Sequence, residues 1–259
     1  MKTLIRYAIL GLAAIALPGF AQVTNEARAK APAVDPAATQ ILKRMTDYVG
    51  SLKQFSVYSQ NTLQDVLDSG HRVDTDVSVR VIVRRPNKIL AERRGDVIDQ
   101  NFYYNGTNLT LSNPSDKVYA TVPAPKTIAG TLDYARDTLG LIIPVSDLVY
   151  TNAYSLLMQD VTLAVVLGKA FIDGERCDHL LFSRPGVDFQ VWVAEGGPPL
   201  PRKYVFTDTT TPELVSVSSV ISQWNVDPAV PDSLFTFVPP PGDKPITFLP
   251  LITTSGSSR

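Results

Sequence analysis

Apolar residues first recur at helical spacing between Asp35 and Leu52. Ile41, Leu42, Met45, Tyr48, Val49 and Leu52 share one side of a 3.6-residue repeat, Asp35 offers an N-cap oxygen, Pro36 stands at N1, and Gly50 lies near the end. This spacing predicts one amphipathic helix over 36–52. From Phe55 the period falls to 2. Phe55, Val57 and Ser59 alternate with Ser56, Tyr58 and Gln60, and Val73, Thr75, Val77, Val79, Val81 and Val83 alternate with mostly charged neighbours. The second strand therefore has one apolar face.

Two dipeptides mark hairpins. Asn105-Gly106 separates Phe102–Tyr104 from Thr107–Leu111, and Asp173-Gly174 separates Gly168–Ile172 from Cys177–Ser183. Both suit a type I′ turn, whose central residues need positive φ. Asp188–Val193, Arg202–Thr207 and Leu214–Trp224 add three strands rich in Val, Phe, Tyr and Trp. Between the hairpins, Thr127–Leu139 and Ser146–Met158 return to helical spacing, parted by Gly140 and Pro144. The chain thus reads as mainly β with α (α+β), an antiparallel sheet with inserted helices. It is expected to form a single domain over 35–250, after a flexible segment at 22–34 and before a disordered, small and polar tail at 251–259.

The N-terminus sets the compartment. Lys2 and Arg6 precede an uncharged run from Tyr7 to Phe20, and Gly19-Phe20-Ala21 offers small residues at a cleavage site. That is the pattern of a secretory signal peptide over 1–21. The run of about fourteen residues falls short of the roughly twenty that span a bilayer. The lone cysteine, Cys177, is far from the cleavage site, so the mature protein is expected to be periplasmic and free of a lipid anchor.

Composition excludes several classes. The 24 basic and 25 acidic residues nearly cancel, and cleavage would remove Lys2 and Arg6 and no acid, which argues against nucleic acid as a partner. One Cys and two His, widely separated, cannot form a disulfide and do not suggest zinc, so no metal is expected. No phosphate loop, GxGxxG, HExxH or GxSxG occurs, so no cofactor and no enzymatic activity is expected. Cys177 and His179 share a strand face, but a thiol-imidazole pair needs a third, orienting group that the neighbourhood does not offer. Asp74 with Asp76, and Asp133 with Asp137, lie on faces that already read as solvated.

Arg85 breaks its local rule. It continues the odd-numbered parity of Val73 to Val83, so an unbroken strand turns its side chain toward the apolar face. A guanidinium keeps its charge on burial and would there need backbone carbonyls or a carboxylate. Alternatively, Pro86 ends the strand and the side chain reaches water.

Several motifs carry a resemblance. Phe55-Ser56 after the first helix, Val83-Arg84-Arg85-Pro86-Asn87, Asn105-Gly106-Thr107-Asn108-Leu109 before Asn113-Pro114, and Phe235-Thr236-Phe237-Val238-Pro239-Pro240 resemble, in the same order, the periplasmic lipoprotein carrier LolA. Cys177-Asp178-His179-Leu180, Asp188-Phe189-Gln190-Val191-Trp192, Pro199-Leu200-Pro201-Arg202-Lys203 and Trp224-Asn225 resemble a family of predicted periplasmic proteins with a LolA-like fold, domain of unknown function 2092. The resemblance implies a curved, unclosed antiparallel β-barrel with a helical lid over its concave face and an acyl-binding cavity between. It also implies that Arg85 matches the carrier's arginine that hydrogen-bonds to the lid.

The expectation is a non-catalytic lipid- or lipoprotein-binding protein, acting as a monomer, with a lipid or acylated protein as partner and transient contact with membrane or envelope proteins. Candidate lipid-binding residues are Arg85, Val79, Val81, Val83, Phe102 and Tyr104, the apolar ones chosen by strand parity. The alternatives are a structural or protein-interaction domain with a filled core, and an enzyme built on Cys177 and His179.

Overall fold

Twelve strands join into one sheet in the computed structural model, which describes residues 33–96, 99–141 and 146–248. The signal peptide expected over 1–21, most of the 22–34 segment and the 251–259 tail lie outside these residues. The chain divides at Ala31/Pro32, and every described residue belongs to the second unit.

The first element is the expected helix, α1 (Pro36–Ser51). Asp35 Oδ1 accepts from Ala37 N at 2.8 Å, Pro36 stands at the start, and Leu42, Met45 and Val49 are buried. Ahead of it, Ala33 O accepts from Ala164 N and Asp35 N donates to Ala164 O, both at 2.8 Å.

The strands are β1 (Gln54–Val66), β2 (Arg72–Arg84), β3 (Lys88–Gly95), β4 (Asp99–Tyr104), β5 (Asn108–Asn113), β6 (Val118–Pro123), β7 (Leu163–Ile172), β8 (Glu175–Arg184), β9 (Val187–Ala194), β10 (Pro201–Asp208), β11 (Ser216–Asn225) and the short β12 (Lys244–Pro245). Their order is β12-β6-β5-β4-β3-β2-β1-β11-β10-β9-β8-β7, an open row whose edges do not meet. Each neighbour runs antiparallel except β12, which is parallel to β6. Between β6 and β7 lie α2 (Ile128–Asp137), a 3-10 turn (Ser146–Val149) and α3 (Ala153–Met158). The architecture is mixed α+β with an unclosed sheet.

Two local expectations are corrected. Ser146–Met158 is not one helix: Tyr150, Thr151 and Asn152 interrupt it, and Asn152 has φ −104° and ψ 28°. Thr and Asn are weak helix formers, and the Tyr150 hydroxyl is drawn aside to donate to Asp133 Oδ1 at 2.8 Å. Asn105-Gly106 is not a type I′ turn either. Gly106 has φ 97° but Asn105 does not enter the positive region, and its Oδ1 instead accepts from Thr107 N and Asn108 N at 3.1 and 3.0 Å. Asp173-Gly174 does follow the rule, with φ of 48° and 80°.

The helices pack on one face of the sheet and build two cores there. The first joins Val49 of α1 and Ile128 and Leu132 of α2 to Phe55, Val83, Ile89, Tyr104 and Leu109 of the β1–β5 half. The second joins Leu42 and Met45 of α1 to Leu180, Phe182, Phe189 and Val191 of β8 and β9. Val57 and Trp224 pack against both. On the opposite face, Phe235 covers Ile82 and Leu90.

Candidate functional site

Strand register turns the helix-facing side of the sheet into rows. Phe55, Val83, Ile89, Tyr104 and Leu109 stand opposite one another across β1–β5, and the next row is Val57, Val81, Ala91, Phe102 and Leu111. Two residues further along come Ile221, Ser59, Val79, Arg93 and Gln100, and beyond them Ser219, Asn61, Val77 and Gly95. Side chains on one face repeat every second residue, so each row lies one pleat beyond the last. The first two rows are almost wholly apolar; the third and fourth introduce hydroxyl, amide and guanidinium groups.

A cavity of about 100 Å³ lies over these rows at the junction of the two cores. Its floor includes Val57, Val79, Val81, Ala91, Phe102 and Ile221, and Leu141, Ser146, Leu148 and Val149 contribute from the helical side. Ser59, Asn61, Arg93 and Gln100 supply the polar part of the wall. A predominantly apolar hollow with few polar groups suits an apolar ligand.

The structure separates the sequence-derived candidates into three places. Val79, Val81 and Phe102 line the cavity. Val83 and Tyr104 are 0% exposed and belong to the filled first core, where the Tyr104 hydroxyl donates to Pro125 O at 2.6 Å. Arg85 lies just past the end of β2, at the helix ends.

Of the two readings of Arg85, the bonded one holds. Its Nε donates to Leu52 O at 3.1 Å and Nη2 to Val49 O at 3.5 Å, while its backbone N donates to Lys53 O at 2.8 Å. Partial burial pulls the guanidinium pKa down from its ordinary value. The acceptors are carbonyls at the C-terminal end of α1, where a cation meets the negative end of the helix dipole. Next to it, Pro86 O accepts from Ile128 N at 3.1 Å, the first residue of α2. Adjacent residues thus hold the end of one helix and the start of another. Gly106 approaches the same loop so closely that a Cβ there would sit 2.5 Å from Asn87 Nδ2, so two of the carrier-like motifs meet in space.

Sequence reasoning missed much of the wall. β1 contributes Phe55, Val57, Ser59, Asn61 and Leu63, whose shared odd parity was the available signal, broken by the two polar members. β3 escaped because Arg93 and Arg94 mask the Ile89-x-Ala91-x-Arg93 alternation. Nothing local marks Leu141, Leu148 or Val149 as cavity-facing.

Cys177 and His179 are held by different partners. The buried Cys177 thiol donates to Glu175 O at 3.4 Å, and burial pushes its pKa up, away from the thiolate. His179 instead stacks on Trp192 with centroids 4.0 Å apart and bonds Gln190 Oε1 through Nε2, and Lys203 Nζ lies 5.0 Å from the Trp192 ring. These residues form a cross-strand stripe over β8, β9 and β10. Among the described residues no cluster of His, Cys, Asp and Glu could hold a metal ion, and no helix is long and apolar enough to cross a membrane.

The family model described as "Predicted periplasmic protein (DUF2092)" matches residues 38–249, and the chain belongs to that family. No curated protein matches the sequence. Among solved structures, an uncharacterized conserved protein from Thermus thermophilus is similar at 10% identity, with 82% of this chain and 99% of that one covered and a TM-score of 0.48. Lipoprotein LppX of Mycobacterium tuberculosis is similar at 18% identity, covering 74% of this chain and 100% of its own, with a TM-score of 0.43. A LolA superfamily protein from Nitrosomonas europaea is similar at 14% identity, covering 77% and 97%, with a TM-score of 0.40.

Proposed function

We propose that this member of the DUF2092 family is a non-catalytic periplasmic binder of a lipid, or of the acyl chain of a lipidated protein. The ligand occupies the hollow between the sheet, curved around it, and the helices. The observation that carries this reading is the apolar cavity over Val57, Val79, Val81 and Phe102 at the seam between two filled cores. A carrier-like resemblance of the sequence motifs supports it, as does the Arg85 contact with α1. Each methylene buried there stabilises the complex by about 0.8 kcal/mol. The cavity is smaller than the roughly 150 Å³ hollow that takes up benzene, so a longer chain enters by displacing Leu148 or Val149 from the roof.

In this role Val79, Val81 and Phe102 contact the chain, Val83 and Tyr104 shape the core beside it, and Arg85 holds the lid. The protein works as an exported monomer. Titration with cis-parinaric acid tests the reading. Saturable fluorescence in wild type, abolished in a folded Val81→Trp variant that fills the hollow, supports it. A wild-type protein that takes up no probe has a core complete in itself and serves as a structural or interaction domain.

A further inference from the structure

The third row of the sheet carries a charge that the apolar cavity does not explain. Arg93 shares the face of Ile89 and Ala91 and lines the hollow, with Val79 beside it on β2 and Gln100 on β4. The neighbouring carboxylates lie against other cations: Glu92 against Arg80 at 3.3 Å on the opposite face, and Asp99 against Arg94 at 2.9 Å. Among the described residues Arg93 has no carboxylate within ion-pair distance. Its one side-chain hydrogen bond, Nη1 to Gln100 Oε1, is a long 3.3 Å, and its buried Nε has no partner. A guanidinium cannot neutralise itself by losing a proton, so an unpaired one beside apolar surface is costly unless an anion arrives.

The groups around it are suited to receive one. Ser59 and Asn61 line the same part of the cavity. Four residues along β2, about 13 Å, separate this polar row at Val79 from the apolar row at Val83. The floor is therefore graded from hydrocarbon to charge.

We propose that the ligand is an amphiphile with an anionic head, a carboxylate or phosphate, held by Arg93 while its chain lies over Val81, Ala91 and Phe102. This rests on the lipid-binding reading above and narrows it. An acylated partner whose lipid bears no negative group would leave Arg93 unpaired. A charge-assisted, forked contact strengthens binding of the acid over its uncharged analogue by about tenfold or more.

The test is competition on the full-length mature protein and on Arg93→Met, with neutral N-phenylnaphthylamine in the cavity as reporter and palmitate, hexadecanol and inorganic phosphate as competitors. The expected result is that palmitate displaces the reporter from wild type at about one-tenth the concentration of hexadecanol or less. Arg93→Met should lose that preference, with an unchanged far-UV circular dichroism spectrum and cooperative melting as the check on its fold. Equal affinities for acid and alcohol in wild type would overturn the anionic head and leave the lipid cavity standing. Failure of the reporter and both chains to bind would overturn the cavity reading and this inference together. Inorganic phosphate that binds wild type as tightly as palmitate would assign Arg93 to free anions and overturn the lipid source.

Discussion

Arg85 reaches from the end of β2 to the end of α1, its Nε 3.1 Å from the carbonyl oxygen of Leu52. This bond satisfies the Leu52 carbonyl at the helix end, and the weaker one adds a second donor to Val49 O, which already accepts from Leu52 N at 3.3 Å. Replacing Arg85 with Leu keeps the fold and removes this hold. The expected loss is about 1–2 kcal/mol in urea unfolding, together with faster release of bound cis-parinaric acid in stopped-flow dilution. An unchanged release rate would reduce Arg85 to a structural cap.

Val79 and Val83 share a strand face, yet only Val79 meets the cavity, while Val83 is 0% exposed in filled core. Val83→Ala should cost about 2 kcal/mol, from two lost methyl groups and the void left behind. Val79→Ala enlarges a hollow that already exists and should cost less than half as much. Paired denaturation curves check the order, which reverses if Val79 is the better packed of the two.

The same pair shows how far the sequence reaches. Parity puts Val79, Val81 and Val83 on one face, and the register agrees, because alternation is a local property of the backbone; Arg85, one residue past the end of β2, meets the helix side through its bonds to α1. Whether a position on that face meets void or core depends on Ile128, Leu132 and Leu148, which arrive from other elements. No spacing along β2 encodes them. The Cys177–His179 pair illustrates the converse: their shared face was legible, but the Trp192 ring that captures His179 belongs to the next strand. Arg93 was overlooked because a charge in a short, mixed segment reads as solvated surface until register sets it beside Val79.

Asp147 gives a dependence on pH. It sits in the 3-10 turn between Ser146 and Leu148, and burial raises its carboxyl pKa, while Arg184 and Arg136 oppose the shift. The folded state thus binds the proton more tightly than the unfolded one. Stability contributed by this group falls as pH rises from the unfolded carboxylate pKa, about 3.9, through the higher folded value, and is level above it. Asp147→Asn should remove that decline and melt at a higher temperature than wild type near neutral pH. A variant that melts lower there would show Asp147 held in its charged form by the two arginines.

The Tyr150 hydroxyl ties the turn between the two roof pieces to Asp133 of α2, and burial and the adjacent carboxylate both push its pKa up. Tyr150→Phe should cost about 1 kcal/mol in unfolding and raise the rate at which cis-parinaric acid enters, since a roof less firmly tied opens more readily. An entry rate identical to wild type would mean that the roof does not move to admit the chain.

Native mass spectrometry of the mature protein, purified without detergent, measures occupancy of the cavity directly. The account predicts a population carrying the added mass of a lipid that is lost from Val81→Trp. A uniformly empty wild-type protein, still empty after incubation with fatty acid, would contradict it.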